Sequence, residues 1–163
     1  MQSDRVRLFA RLEELGIATT TVEHVPMFTV EQSQSLRGTI PGAHTKNLFL
    51  KDKDGHLVLV VAKEDTRVDL KALAKQLGFG RFSFGKPELL KDVLGIEPGS
   101  VTPFALFHEA SRRLDAVVVD EALMGFPEVN CHPLMNSATT RLATKDLIRF
   151  MEACGHAPRV LSL

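Results

Sequence analysis

The run from Asn47 to Ala62 constrains this chain more than any other. Asn47-Leu48-Phe49-Leu50-Lys51 and His56–Ala62 are two apolar segments of strand length. Between them stands Asp52-Lys53-Asp54-Gly55, and an Asp-Gly turn flanked by such segments predicts an antiparallel hairpin. A hairpin is marginal alone in water, so its apolar residues demand covering elements. Helical spacing supplies them. Val6, Leu8, Phe9, Leu12 and Leu15 recur on one face before Gly16. Asp69 is placed to cap a helix carrying Leu70, Leu73, Ala74 and Leu77, ended by Gly78. Pro87 suits the first turn of a helix Glu88–Leu94, ended by Gly95. Thr144 caps a last helix with Leu147, Ile148, Phe150 and Met151, stopped by Gly155.

Further strands are expected at Ile17–His24, Arg81–Phe84, Phe104–Phe107, Leu114–Val119, Glu128–Cys131 and Ala138–Ala143, with Pro158–Leu163 as an edge strand. Ser111-Arg112-Arg113 reads as another hairpin tip. Thr29 with Gln32 is a capping-box pattern opening a short polar helix to about Leu36. Strands arrive in hairpins with helices between them. The expected fold is therefore a single α+β domain over residues 1–163, with a mixed, mostly antiparallel sheet flanked by helices.

Bulk composition removes several function classes. The formal net charge is zero, so any nucleic-acid contact must be local, through a few lysines and arginines. No apolar run is long enough to span a membrane. The amphipathic N-terminus lacks the apolar centre of a signal peptide, and a cytosolic protein is expected. Cys131 and Cys154 make neither a disulfide nor a metal framework and are expected as free thiols.

Three irregular polar stretches stand out. Asn130–Thr140 contains His132-Pro133, and a proline there marks a strand end, where a side chain can be aimed into a pocket. Gly99-Ser100-Val101-Thr102-Pro103-Phe104 is placed to form a facing wall. Thr45-Lys46-Asn47 brings a cation to the start of an apolar strand. Taken alone, each has a plain structural reading: a Pro/Gly loop, a buried histidine satisfied by backbone, an exposed lysine.

These same stretches resemble the YbaK/prolyl-tRNA-synthetase-associated family of aminoacyl-tRNA editing domains. The likeness runs through Glu23–Glu31, Thr45–Leu50, Leu94–Phe104 and His132–Thr139. It is greatest to the free-standing ProXp-ala type. A residue bulkier than Cys131 is the family's expectation before the histidine. The resemblance implies hydrolysis of mischarged Ala-tRNA(Pro), with no metal or cofactor. Lys46 and His132 would then serve the reaction, together with the backbone of Gly99, Ser100, Val101 and Thr102. Asn47, Pro103, Asn136, Met27, Phe28 and Val30 would bind the substrate. The implied partner is the acceptor end of tRNA(Pro) with its amino acid, and prolyl-tRNA synthetase is a second candidate partner; a monomer is expected.

The bond to be broken, an ester to the terminal ribose, is already activated. Positioned water and oxyanion donors can then replace a nucleophile triad. The chain has no Gly-x-Ser-x-Gly elbow, and adjacent Cys131 and His132 would point to opposite faces of a strand. His132, with a reference pKa near neutrality, is assigned to binding and pocket shape, with a general-base role left open. The alternatives are a deacylase for cysteine or serine, a catalytically silent tRNA-binding module of the same fold, and an interaction domain using a sheet edge.

Overall fold

The structure, a computed structural model, describes residues 3–25 and 40–163. In chain order its main elements are α1 (Asp4–Glu14), β1 (Thr19–Glu23), β2 (Ala43–Asp52), β3 (Leu57–Lys63), α2 (Leu70–Leu77), β4 (Phe82–Phe84), α3 (Pro87–Leu94), β5 (Ala116–Asp120), β6 (Glu128–Cys131), β7 (Ala138–Ala143), α4 (Thr144–Ala153) and β8 (Arg159–Leu161). The sheet runs β1-β7-β6-β2-β3-β5-β8, with β4 added to the far end of β2. Pairings β1–β7, β6–β7, β2–β3 and β2–β4 are antiparallel, while β2–β6, β3–β5 and β5–β8 are parallel. The sheet is mixed and the fold α+β, as expected. The polar helix predicted after Thr29 lies outside the described residues.

Strand alternation divides the core. Leu57, Leu59 and Val61 of β3 join Phe49, Val117 and Val119 under α1, α3 and α4. Val58, Val60 and Ala62 face the other way and join Leu50, Val118 and Leu73, Ala74 and Leu77 of α2. Because β3 is covered on both faces, it reads as an unbroken apolar run rather than an alternating one.

Several local expectations hold for local reasons. The Asp69 carboxylate accepts from the N–H groups of Lys71 and Ala72, and Gly78 ends α2 in the left-handed region. Pro87 begins α3, which Gly95 ends. Three others are corrected. Phe104–Phe107 is not a strand: Pro103–Phe107 forms a buried 3₁₀ turn, begun by the Thr102 hydroxyl accepting from the Phe104 N–H at 3.3 Å. Proline's fixed φ favours that turn and its missing N–H disfavours a ladder. Ser111 is no hairpin tip but is fully buried in a second 3₁₀ turn, its hydroxyl donating to the carbonyls of His108 and Leu106. Thr144 is not the cap of α4; Ala143 takes that position, and the Thr144 hydroxyl donates to Phe126 O at 2.6 Å.

The hairpin turn is braced by one buried carboxylate. Asp52 Oδ1 accepts from the N–H groups of Asp54 (3.0 Å) and His56 (2.7 Å), and Oδ2 from Gly80 N–H (2.9 Å) and His56 Nδ1 (2.7 Å). The His56 ring stacks on Phe79, centroids 4.3 Å apart. Asp52, Asp54 and His56 bring three ligand atoms within 4.8 Å, but both Asp52 oxygens are already taken by N–H donors. Burial would raise the Asp52 pKa; the hydrogen bonds from Gly80, His56 and Asp54 outweigh it and hold the carboxyl well below the usual range. The hydrogen bond to Asp52 raises the His56 pKa above 6.5.

Two predictions follow from this packing. Stability gained from His56 is full below its unfolded pKa and fades as pH rises through its raised folded value, so the Tm loss in His56→Gln is larger at pH 6 than at pH 9. Thermal denaturation at the two pH values checks this. A Cβ at Gly85 would stand 2.3 Å from the buried Phe49 ring. Gly85→Ala is therefore expected to cost about 1–3 kcal/mol by overpacking, measured by denaturant unfolding.

Candidate functional site

Register, rather than sequence distance, assembles the polar residues. Strand β2 runs parallel to β6 with His44 opposite Asn130, so two residues further on Lys46 is level with residue 132. Strand β6 runs antiparallel to β7 with Cys131 opposite Thr140, which sets residue 132 against Thr139. Thr139 in turn faces Val22 of β1. The register thus brings the stretches that carry Lys46, His132 and Thr139 alongside one another, with His132 in the turn that directly follows β6.

His132 is half-buried directly after β6, and its Nδ1 lies 3.3 Å from Ala138 O. A carbonyl only accepts, so Nδ1 carries the proton and Nε2 keeps its lone pair. Burial lowers the His132 pKa below 6.5, the Ala138 hydrogen bond opposes this, and the nearby His24 adds to the lowering. The imidazole is consequently a neutral acceptor at Nε2. His24, directly after β1, reaches the same region: its Nδ1 donates to Val25 O (2.8 Å) and its Nε2 is hydrogen-bonded to the Thr139 hydroxyl (2.9 Å).

Lys46 is half-buried and, among the described residues, has no hydrogen-bond or ion-pair partner. Asp65 feels its charge, although Lys63 is the main cause of the lowered Asp65 pKa. Asn47 is its neighbour in β2 and therefore turns to the opposite face, the side of Phe49. There its Oδ1 is buried with no partner. The structure does not bring Asn47 together with Lys46 and His132.

The two irregular loops do meet. A Cβ built at Gly99, which has φ +89°, would lie 3.9 Å from Asn136 Nδ2. Val101 and Leu134 both pack against the main core, and Leu134 itself has a positive φ of 71°. Ser100, Thr102 and Pro103 are buried. The N–H of Ser100 is used by Glu97 O at 3.1 Å. Among the described residues, no hydrogen bond takes up the N–H groups of Gly99, Val101 or Thr102. Met27, Phe28 and Val30 lie outside the described residues.

Side-chain nucleophiles are poorly placed. Cys131 is buried on the face opposite Lys46, and burial pushes its thiol up to about 12. The Thr102 hydroxyl is fully buried at the start of its 3₁₀ turn. What the residues offer instead is an ammonium, the backbone N–H groups of Gly99 and Val101, unpaired among the described residues, an amide and one neutral acceptor.

Sequence reasoning missed three members of this arrangement. His24 reads only as a strand-end residue, and Thr139 as one polar residue among several. Arg5, on α1, bonds Glu23 of β1 and reaches Met135 Sδ at 3.5 Å, tying the first helix to the His132 loop. Only the strand pairing reveals these neighbours; no local signal in the sequence does.

The comparisons define the class. Residues 24–150 match the model of the aminoacyl-tRNA editing domain, and this chain belongs to that family. A zebrafish (Danio rerio) protein named prolyl-tRNA synthetase associated domain-containing protein 1 is 39% identical over 152 residues, covering 93% of this chain and 83% of that one. The prolyl-tRNA editing protein ProX of Acetoanaerobium sticklandii is 34% identical over 157 residues, covering 96% and 95%. A crystal structure assigned as a candidate trans-editing enzyme for prolyl tRNA synthetase shares the fold, with a TM-score of 0.77 at 24% identity over 100% of this chain and 98% of that one.

The tautomer argument is directly measurable. Long-range ¹H–¹⁵N spectra are expected to show His132 in the Nδ1–H form, titrating below 6.5. Because its folded pKa is lowered, its contribution to stability is present above pH 6.5 and is lost as pH falls through the folded value.

Proposed function

We propose that this chain is a trans-acting editing hydrolase that removes alanine from mischarged Ala-tRNA(Pro). The observation that carries this reading is the register that sets the Lys46 segment of β2 beside the end of β6, which leads into His132 and into the loop whose Asn136 amide approaches the Gly99 turn. Family membership directs it to an aminoacyl ester. The names of the relatives direct it to tRNA(Pro).

In this reading the N–H groups of Gly99 and Val101, unpaired among the described residues, hold the ester carbonyl oxygen and stabilise the oxyanion as it forms, while the fully buried Thr102 anchors the turn. Lys46 binds the terminal phosphate or a ribose oxygen. His132 Nε2 accepts from the substrate ammonium. Water adds to the carbonyl carbon with assistance from the free ribose hydroxyl. The bond to the ribose oxygen breaks, that oxygen takes a proton, and free alanine and tRNA leave. Met27, Phe28, Val30, Asn136 and Pro103 shape the pocket. Lost apolar contact lets a proline site reject alanine by only about 1–3 kcal/mol, so a second pocket that admits alanine and bars proline supplies the missing discrimination.

The acceptor stem fits a groove of about 760 Å³ lined by Lys51, Lys53, Arg81 and Lys86, with Glu88 and Asp92 on one wall. Phe84, 63% exposed, lies in it and offers a face for a base or ribose.

Single-turnover deacylation of Ala-, Pro- and Cys-tRNA(Pro) tests the reading. Alanine is expected to be released, proline spared, and Lys46→Ala to lose roughly 100-fold or more, the scale of a transition-state donor. Release of cysteine alone would move the substrate while keeping the site. No release of any of them would leave a tRNA-binding module and overturn the proposal.

A further inference from the structure

We propose that bound RNA does not end at the Lys51–Lys86 groove but continues across Arg81 to Lys71 and Lys75 on α2, a second row of phosphate contacts. This rests on the tRNA reading above. A second groove, of about 610 Å³, is lined by Leu70, Lys71, Ala74, Lys75, Phe79 and Gly80. Arg81 and Phe82 line both grooves, which meet around the edge strand β4, the first on the α3 side of the sheet and the second on the α2 side.

Charge is the argument for what occupies it. Among the described residues, none of Lys51, Lys53, Lys71, Lys75, Arg81 and Lys86 has a carboxylate within salt-bridge distance. In a chain of zero net charge, that is a local concentration of unpaired cations. The nearest buried carboxylate, Asp52, is already saturated by N–H donors. Asp69 accepts from two helix N–H groups. Lys71 and Lys75 are four residues apart on one helix, an arrangement of like charges that weakens the helix. The helix dipole accounts for Lys75 in the last turn but not for Lys71 one turn earlier. A polyanion crossing both lysines accounts for the pair. Phosphates released of their counterions make such contacts salt-dependent and independent of base sequence.

The test uses the intact protein, an uncharged tRNA(Pro) transcript and fluorescence anisotropy across a KCl series. Wild type is expected to bind with a steep negative slope of log K against log salt. Lys71→Ala/Lys75→Ala is expected to flatten that slope by roughly one to two units, with an unchanged Tm and an unchanged deacylation rate at saturating RNA. The Lys71→Arg/Lys75→Arg variant is expected to keep the wild-type slope. An unchanged slope in the alanine variant would overturn this inference and leave the editing reading standing. So would a flattened slope that arginine fails to restore, because the charge would not be the cause. A wild type that binds no tRNA would bring down both.

Discussion

The ten residues of β2 bond to three strands at once. Its first two residues run parallel to β6, its last three antiparallel to β4, and its length pairs with β3. A slip of one residue in any of these pairings would turn every β2 side chain to the wrong face, exchanging Phe49 and Leu50 between the two core layers. The three partners, with the Asp52 brace at the hairpin end, therefore fix one register. That register alone sets the Lys46 segment beside the end of β6, which leads into His132.

The proposed site, which uses no side-chain nucleophile, places an unusual demand on the backbone. Its donors must be left unpaired in the free protein yet held in place. Gly99 allows this through its positive φ, and the buried Thr102 and Pro103 anchor the turn from below. The turn then leads into a 3₁₀ helix whose Phe104, Ala105 and Leu106 are nearly inaccessible to solvent. Rigid packing on one side and open N–H groups on the other are what preorganisation means in this molecule. His132 contributes in a similar way: burial keeps it neutral, and the Ala138 carbonyl decides which nitrogen faces out.

Local signals in the sequence carried far. The Asp-Gly hairpin, the Asp69 cap, Pro87 at a helix start and the glycine stops all act within a few residues, so composition and spacing reveal them. The facing of the Gly99 and His132 loops was also legible, through the family likeness. What was not legible depends on distant pairing: the parallel additions of β5, β6 and β8, and the placement of His24 and Thr139 beside His132. The error at Phe104–Phe107 has a different origin. Four apolar residues suit a strand or a buried turn equally, and only the preceding Thr-Pro, with its cap and fixed φ, decides between them. Asn47 is instructive because strand alternation, which separates Cys131 from His132, separates Asn47 from Lys46 by the same rule.

Zero net charge says nothing about how charge is arranged. On α1, Arg5, Arg7 and Arg11 pair with Glu23, Asp4 and Glu14, and on α4 Arg149 pairs with Asp146. These pairs are exposed or partly so and contribute little stability singly. Their larger effect is to neutralise the helical side of the molecule. Cations around β4 and α2 have no carboxylate within salt-bridge distance among the described residues, although Glu88 and Asp92 share the wall of the first groove. Within a screening length of about 8–10 Å an anionic strand would meet mainly the field of these cations. A neutral protein can thus bind a polyanion on one face, provided the opposite charges are paired elsewhere. The zero balance excludes a uniformly basic surface while remaining compatible with a local cationic patch around β4 and α2.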